Sequence, residues 1–151
     1  TNPHRRTVPP TASTPTGVIN TVTESPIDVA AVRAAVESDA AGAVVEFAGV
    51  VRNHDGGRQV LSLDYQAHPD ASTILAECCR QIEAETGVAV AAVHRVGALQ
   101  IGDFALYAAA ASAHRADAFA ACAALVDRIK ATVPIWKRQH FTDGTSEWVG
   151  L

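Results

Sequence analysis

Pro134 fixes the layout of the C-terminal part of this 151-residue chain. Upstream of it, Phe119, Cys122, Ala123, Val126 and Ile129 recur at helical spacing. A proline lacks the N–H that the next helical turn needs, and it biases the residue before it away from helical backbone. The spacing therefore predicts a long helix after Ser112-Ala113-His114-Arg115 that stops before Pro134, with Lys130 at its C-terminal end, and a strand over Ile135 to His140. The corner so formed carries Lys130, Lys137 and Arg138. Lys130 and Lys137 are the only lysines in the chain; the rest of its 12 basic residues are arginine. An ammonium can be made neutral by its surroundings and then act as nucleophile or base, which a guanidinium cannot. Two readings stay open here: chemistry that needs an amine, or two solvated charges at a helix end and on a strand.

Around this corner the length fits one domain with a single core, and 48% hydrophobic residues make it globular. A net charge of −4 argues against a general nucleic-acid binder, so any anion site must be a local cluster. Cys78, Cys79 and Cys122 are odd in number and lack C-x-x-C spacing, which predicts reduced thiols packed inertly in a cytoplasmic protein. No apolar run reaches membrane-spanning length and no signal-peptide core is present, so no membrane association is expected. The histidines show no metal-ligand spacing, and no metal or cofactor is expected.

Residues 1–17, rich in Pro, Thr and Ser, predict a flexible tail ahead of a single catalytic domain over 18–151. A short strand is expected over Val18 to Val22, then a helix from Pro26 to Ser38 capped by Ser25. Ala43 to Val51 reads as a buried strand that runs into the turn Arg52-Asn53-His54-Asp55-Gly56-Gly57. Val60 to Gln66 reads as its hairpin partner, with Leu61, Leu63 and Tyr65 on one face. A helix capped by Asp70 or Ser72 and ended by Gly87 turns Ile74, Leu75, Cys78 and Ile82 inward. Val88 to Val96 and Phe104 to Ala111 predict two strands around a turn at Gly97 to Asp103, and a last strand is expected around Glu147 to Val149. The pattern is α+β, and periodicity alone does not set its topology.

Candidate chemistry gathers where strand ends meet loops: Arg52 and His54, His114 and Arg115, and Lys130, Lys137 and Arg138. The helix opening near Arg115 adds free backbone N–H groups that favour an anion. Together these groups suit a phosphate ester beside an amine. Read alone, the arginines are also ordinary solvated loop charges, His114 an ordinary structural histidine, and Trp136 a lid over a ring-shaped substrate or a core residue. A non-catalytic module for a phosphorylated ligand or protein tail, and a Schiff-base lyase, fit the same residues.

Four stretches resemble, in order, the large catalytic subunit of molybdopterin synthase: Phe47-Ala48-Gly49-Val50-Val51-Arg52-Asn53-His54, Val93-His94-Arg95-Val96-Gly97, Ser112-Ala113-His114-Arg115, and Lys130 through Pro134-Ile135-Trp136-Lys137-Arg138. The resemblance runs from about residue 20 to Trp148. It implies an α/β hammerhead with an additional antiparallel β subdomain. It further implies a homodimer within a heterotetramer, each copy binding a small ubiquitin-like sulfur carrier with a C-terminal Gly-Gly thiocarboxylate. The reaction implied is sulfur transfer to cyclic pyranopterin monophosphate, forming the molybdopterin dithiolene. By the same resemblance Arg52, His114, Arg115, Arg138 and Gln139 line the substrate pocket and Lys130 and Lys137 sit at the reacting centre. Many family members carry glutamate at the positions of Gln66 and Gln139, so an acid role there is expected to be absent or to fall elsewhere. The stop soon after Trp148 is expected to remove contacts that a longer C-terminus makes across the dimer.

Overall fold

The structure is a computed structural model, and it describes residues 19–150; the tail expected over 1–17 lies outside them. Among the described residues nine strands and three helices form a mixed α+β fold with two sheets. In order they are β1 (Thr21–Thr23), α1 (Val29–Ala34), β2 (Ala43–Val50), β3 (His54–Asp55), β4 (Arg58–Ala67), α2 (Ala71–Thr86), β5 (Ala89–Arg95), β6 (Gly97–Gln100), β7 (Phe104–Ser112), α3 (Arg115–Thr132), β8 (Ile135–Phe141) and β9 (Ser146–Gly150).

The first sheet runs β1-β5-β7-β2, with β1 parallel to β5 and the other pairs antiparallel. Its central strand β7 carries Ala108, Ala109, Ala110 and Ala111, all buried. Successive side chains of a strand point to opposite faces. Ala108 and Ala110 accordingly join the main core with Leu75, Ile82, Leu125 and Ile129 of α2 and α3. Ala109 and Ala111 meet Val32 and Val36 in a smaller core under α1. The second sheet runs β3-β4-β8-β9, with β6 also on β4, and its inner face adds Val60, Leu63, Tyr65, Ile135 and Phe141 to the main core.

Several expected elements are present within a few residues: β2, β5, β7, β8, β9 and α2, whose end is Gly87 at φ 73°. The left-handed backbone there suits a residue with no Cβ. Helix α3 ends at Thr132, with Val133 as its extended cap immediately before Pro134.

Five expectations are corrected. Ala43–Val50 and Val60 to Gln66 do not form a hairpin. β2 pairs with β7 along its whole length, and Val51 bonds Asp103 and Gly102 as the chain leaves that sheet. The only hairpin at the turn is β3 with the start of β4, around Gly56 and Gly57 at φ 58° and 80°, the two positive angles that a two-residue I′ loop requires. Leu61 is 56% exposed while Val60 is buried with Leu63 and Tyr65, because a register shift between Val60 and Ser62 inserts one residue and reverses the alternation. Helix α1 starts at Val29, since Asp28 Oδ1 accepts from the Ala31 N–H at 3.1 Å and Ser25 instead bonds back to Thr23. Gly97–Gln100 is strand β6 rather than part of a turn. Phe119 is 61% exposed, because α3 turns Ala118, Ala121, Cys122 and Leu125 toward the sheet.

Gly42, just before β2, faces the loop that carries His114: a Cβ there would lie 2.9 Å from the Ala113 carbonyl oxygen. Gly42→Ala should destabilise the fold by about 1–3 kcal/mol, the usual scale of overpacking. Chemical denaturation checks this, and an unchanged midpoint would show that the loop yields freely.

Candidate functional site

Strand β8 sorts its side chains by alternation. Ile135, Lys137 and Gln139 share the inner face, where Lys137 lies in register with Tyr65 and Gln139 with Leu63. Trp136, Arg138 and His140 share the outer face. Lys137 and Arg138, adjacent in sequence, therefore serve opposite sides of the sheet.

On the inner side Arg52, His54, Asp55, Tyr65, Lys137 and Gln139 line a cleft of about 80 Å³. Gln139 is 2% exposed, and its Nε2 donates to Asp55 Oδ2 at 2.9 Å. Arg52 reaches Asp55 Oδ1 at 3.4 Å. The Gln139 donor holds the Asp55 carboxyl below its ordinary range, and Lys137 and Arg52 add to this against the opposing effect of burial. Lys130, on the last turn of α3, also has a lowered pKa, first from burial and then from the charge of Lys137. A helix C-terminus favours the charged ammonium and so acts against these two effects.

The other predicted residues lie elsewhere. His114 caps α3 and Arg115 opens it, lining a separate hollow of about 400 Å³ with Gly42 and Ala43. Arg115 and Lys130 stand at opposite ends of α3, about 22 Å apart at 1.5 Å per residue. One chain thus does not unite them. Arg138 donates to Ser146 Oγ at 3.1 Å and lies over the Trp148 ring at 5.8 Å. It borders an outer groove of about 500 Å³ with Asp64, Gln66 and Glu24. In that groove Asp64 Oδ2 accepts from His140 Nε2 at 2.6 Å.

Three residues of the inner side escaped the reading of candidate chemistry. Asp55 was legible only as a turn residue. Tyr65 was read only as part of one face of a strand, and its phenol pKa is raised by burial. His94, within a quoted motif, is 2% exposed, meets Tyr65 edge-on with ring centroids 5.1 Å apart and donates from Nδ1 to the Arg95 carbonyl at 2.8 Å. Burial lowers its pKa from 6.5 to about 4, with the Lys130 charge adding to the effect. The cysteines are all buried, and burial first of all pushes the Cys79 thiol up to about 12, which makes it a poor nucleophile.

The fold and the lysine cleft define a small α+β enzyme in which Lys137 and Arg52 line one cleft and the nearby Lys130 holds its proton less tightly. The model of the MoaE protein family matches residues 22–132. Catalytic subunit 1 of molybdopterin synthase from Mycobacterium tuberculosis is 40% identical over 131 residues, covering 85% of this chain and 88% of that relative. The X-ray crystal structure of molybdopterin synthase from Staphylococcus aureus superposes with a TM-score of 0.81 at 37% identity, over 87% of this chain and 96% of that one. A complex of subunits 1 and 2 of molybdopterin-converting factor from Helicobacter pylori shares the fold, with a TM-score of 0.67 at 18% identity over 85% of this chain and 88% of that one. The chain belongs to the MoaE family. It is an enzyme of molybdenum cofactor biosynthesis, acting in the sulfur transfer that forms the molybdopterin dithiolene.

His94 makes the fold acid-sensitive. The unfolded chain binds a proton at this residue below about 6.5 and the folded chain only below about 4. Its contribution is therefore complete above the upper value and falls away as pH drops through this window, by at most roughly 3 kcal/mol. His94→Phe should flatten the loss of Tm between these pH values relative to wild type. Parallel curves for the two proteins would show that His94 titrates normally.

Proposed function

We propose that this chain transfers sulfur from the C-terminal Gly-Gly thiocarboxylate of a small ubiquitin-like carrier to cyclic pyranopterin monophosphate, using Lys130 as the reacting amine. The observation that carries the reading is the pairing of the chain's only lysines, Lys130 under the charge of Lys137 and with its proton affinity lowered. The inner cleft, at about 80 Å³, suits an extended tail without Cβ atoms far better than a bulkier one. The sulfur arrives on the partner, which agrees with three buried thiols. The Helicobacter pylori complex supports a small-subunit partner in proteins of this fold.

The same cleft is too small for a pterin phosphate, since sites for such ligands span about 300–1,000 Å³. His114 and Arg115, with the free N–H groups that open α3, suit its phosphate, yet they stand at the far end of the helix. A homodimer resolves this: one copy supplies Lys130, Lys137 and Arg52, and the other supplies His114 and Arg115. The assembly is then a heterotetramer of two such copies and two carriers. In this reading residues 18–151 are one catalytic domain. The first sheet with its helices is the hammerhead and the second sheet the antiparallel subdomain. Arg138 acts on the outer groove, away from its own lysine pair. The cytoplasm, where unpaired thiols stay reduced, is the compartment that fits. No helix among the described residues is long and apolar enough to cross a membrane.

Lys130→Arg should fold and bind carrier and pterin but lose at least about a hundredfold in turnover, the scale for removing a general acid or base. Near-normal turnover would reduce the lysine to a charge. Lys137→Arg should be milder. Arg115→Ala should raise KM for the pterin by one to two orders of magnitude, as loss of a charge-assisted hydrogen bond predicts. Mixing Lys130→Arg with Arg115→Ala at limiting pterin should restore about a quarter of wild-type activity, because half the dimers are mixed and each has one intact site. No restoration would place the two clusters in separate sites. A carrier ending in Val-Val should not transfer sulfur; normal transfer would refute the narrow channel.

A further inference from the structure

Arg115 and Lys130, which the shared site needs from different copies, lie on one side of the same helix. At about 100° per residue, Arg115, Phe119, Ala123, Val126 and Lys130 fall within a strip of α3 about 80° wide. Arg115, Ala123 and Lys130 are exposed, and Phe119, at 61%, is the most exposed of the large apolar side chains described. Beside it opens an apolar hollow of about 330 Å³, whose lining includes Val45 and Phe47 of β2 and Phe119, Ala123 and Val126 of α3. β2 is the edge strand of the first sheet, so the hollow opens past the last strand of that sheet. A protruding aromatic ring next to an unfilled apolar hollow is the anatomy of a contact surface.

What fits that surface follows from symmetry. In a two-fold dimer a patch meets itself, so if residue i of one copy touches residue j of the other, j also touches i. Bringing Arg115 of each copy toward Lys130 of the other lays the two α3 helices antiparallel, with the axis at the midpoint of that span, between Cys122 and Ala123. Each residue then faces the one equally far beyond the midpoint. Phe119, four residues after Arg115, faces Val126, four residues before Lys130, and Val126 lines the hollow. The two cations fix the axis without reference to the ring or the hollow, yet that axis delivers the ring of each copy to the hollow of the other. Ala123, next to the axis, offers only a methyl group, which lets the helices approach at a shallow crossing of the ~20° class.

We propose that this strip is the seam of the homodimer: two copies join with α3 antiparallel to α3, and Phe119 of each is seated between α3 and β2 of the other. Dimerisation itself then carries Arg115 to the lysines of the second copy. The inference names the surface that a shared site requires, and it rests on the reading that Arg115 serves the lysines of the other copy.

Two variants test it. Ala123→Cys places a thiol beside the axis, and a short bis-maleimide should link the two copies well above the background given by Ala131→Cys, an exposed position on another side of α3. Phe119→Asp would bury a carboxylate in the hollow of the second copy, so it should run as a monomer in light scattering at concentrations where wild type is a dimer. Its circular dichroism should be unchanged, because the ring is exposed in the single chain. Phe119→Leu should remain a dimer. A monomeric wild type, a dimeric Phe119→Asp or the absence of a link in Ala123→Cys overturns the seam. A Phe119→Asp protein that stays dimeric but no longer binds the carrier would assign the hollow to the carrier tail, which overturns it as well. If Phe119→Asp does not fold, the crosslink decides. Failure of the shared site shows separately: monomeric Phe119→Asp should raise KM for the pterin by at least the one to two orders of magnitude expected of Arg115→Ala, and a monomer with wild-type KM would refute the sharing while leaving the seam in place.

Discussion

Four alanines in the middle of β7 set the distance at which both helical layers rest on the first sheet. Ala108 and Ala110 on one side and Ala109 and Ala111 on the other leave only methyl groups between this part of β7 and the helices. Alanine is a poor strand former by itself, so burial and pairing on both sides, rather than propensity, hold this strand. A larger side chain at Ala108 or Ala110 would push the α2–α3 layer outward, and close-packed interiors transmit such shifts. What moves with α3 is chemically important at both ends: His114 and Arg115 at its opening, Lys130 at its close.

The helix thereby acts as a spacer as much as a scaffold. Its N-terminus suits an anion and its C-terminus holds an amine, and about 22 Å of regular backbone, at the standard rise, keeps them apart. The lysine end is completed by the second sheet, which brings Lys137 up from β8 and Asp55 over from β3. Three segments distant in sequence converge there because β4 is shared, pairing with β3, β6 and β8.

Much of this was legible in the residues. Pro134 and Gly87 end their helices as their backbone chemistry requires, and the apolar runs of β2, β5 and β7 are strands. Partner choice was not legible. The run Ala43 to Val50 carries no mark that its partner is β7 rather than the nearer Val60 to Gln66, because apolar β-branched strands pair well with many others. The inserted residue at Leu61 has no local signal such as glycine, and it inverted the expected face. Helical spacing of Phe119 was real, but spacing gives a stripe and not its centre, and the alanine-lined sheet took the smaller side of α3. Among site residues, the separation of Lys137 from Arg138 follows from strand alternation that was already visible. The anchoring of Asp55 in the inner cleft needs the cross-strand bond from Gln139, a long-range contact that no window of sequence contains.

The alternation along β8 has an evolutionary consequence. One seven-residue strand presents Ile135, Lys137 and Gln139 to the lysine cleft and core, and Trp136, Arg138 and His140 to the opposite face. A substitution at one of the outer positions therefore leaves the inner set in place. A single-codon insertion or deletion within the strand does the reverse, exchanging the two sets at once. A change of length within β8 therefore reaches the lysine cleft directly, where a substitution on the outer side does not.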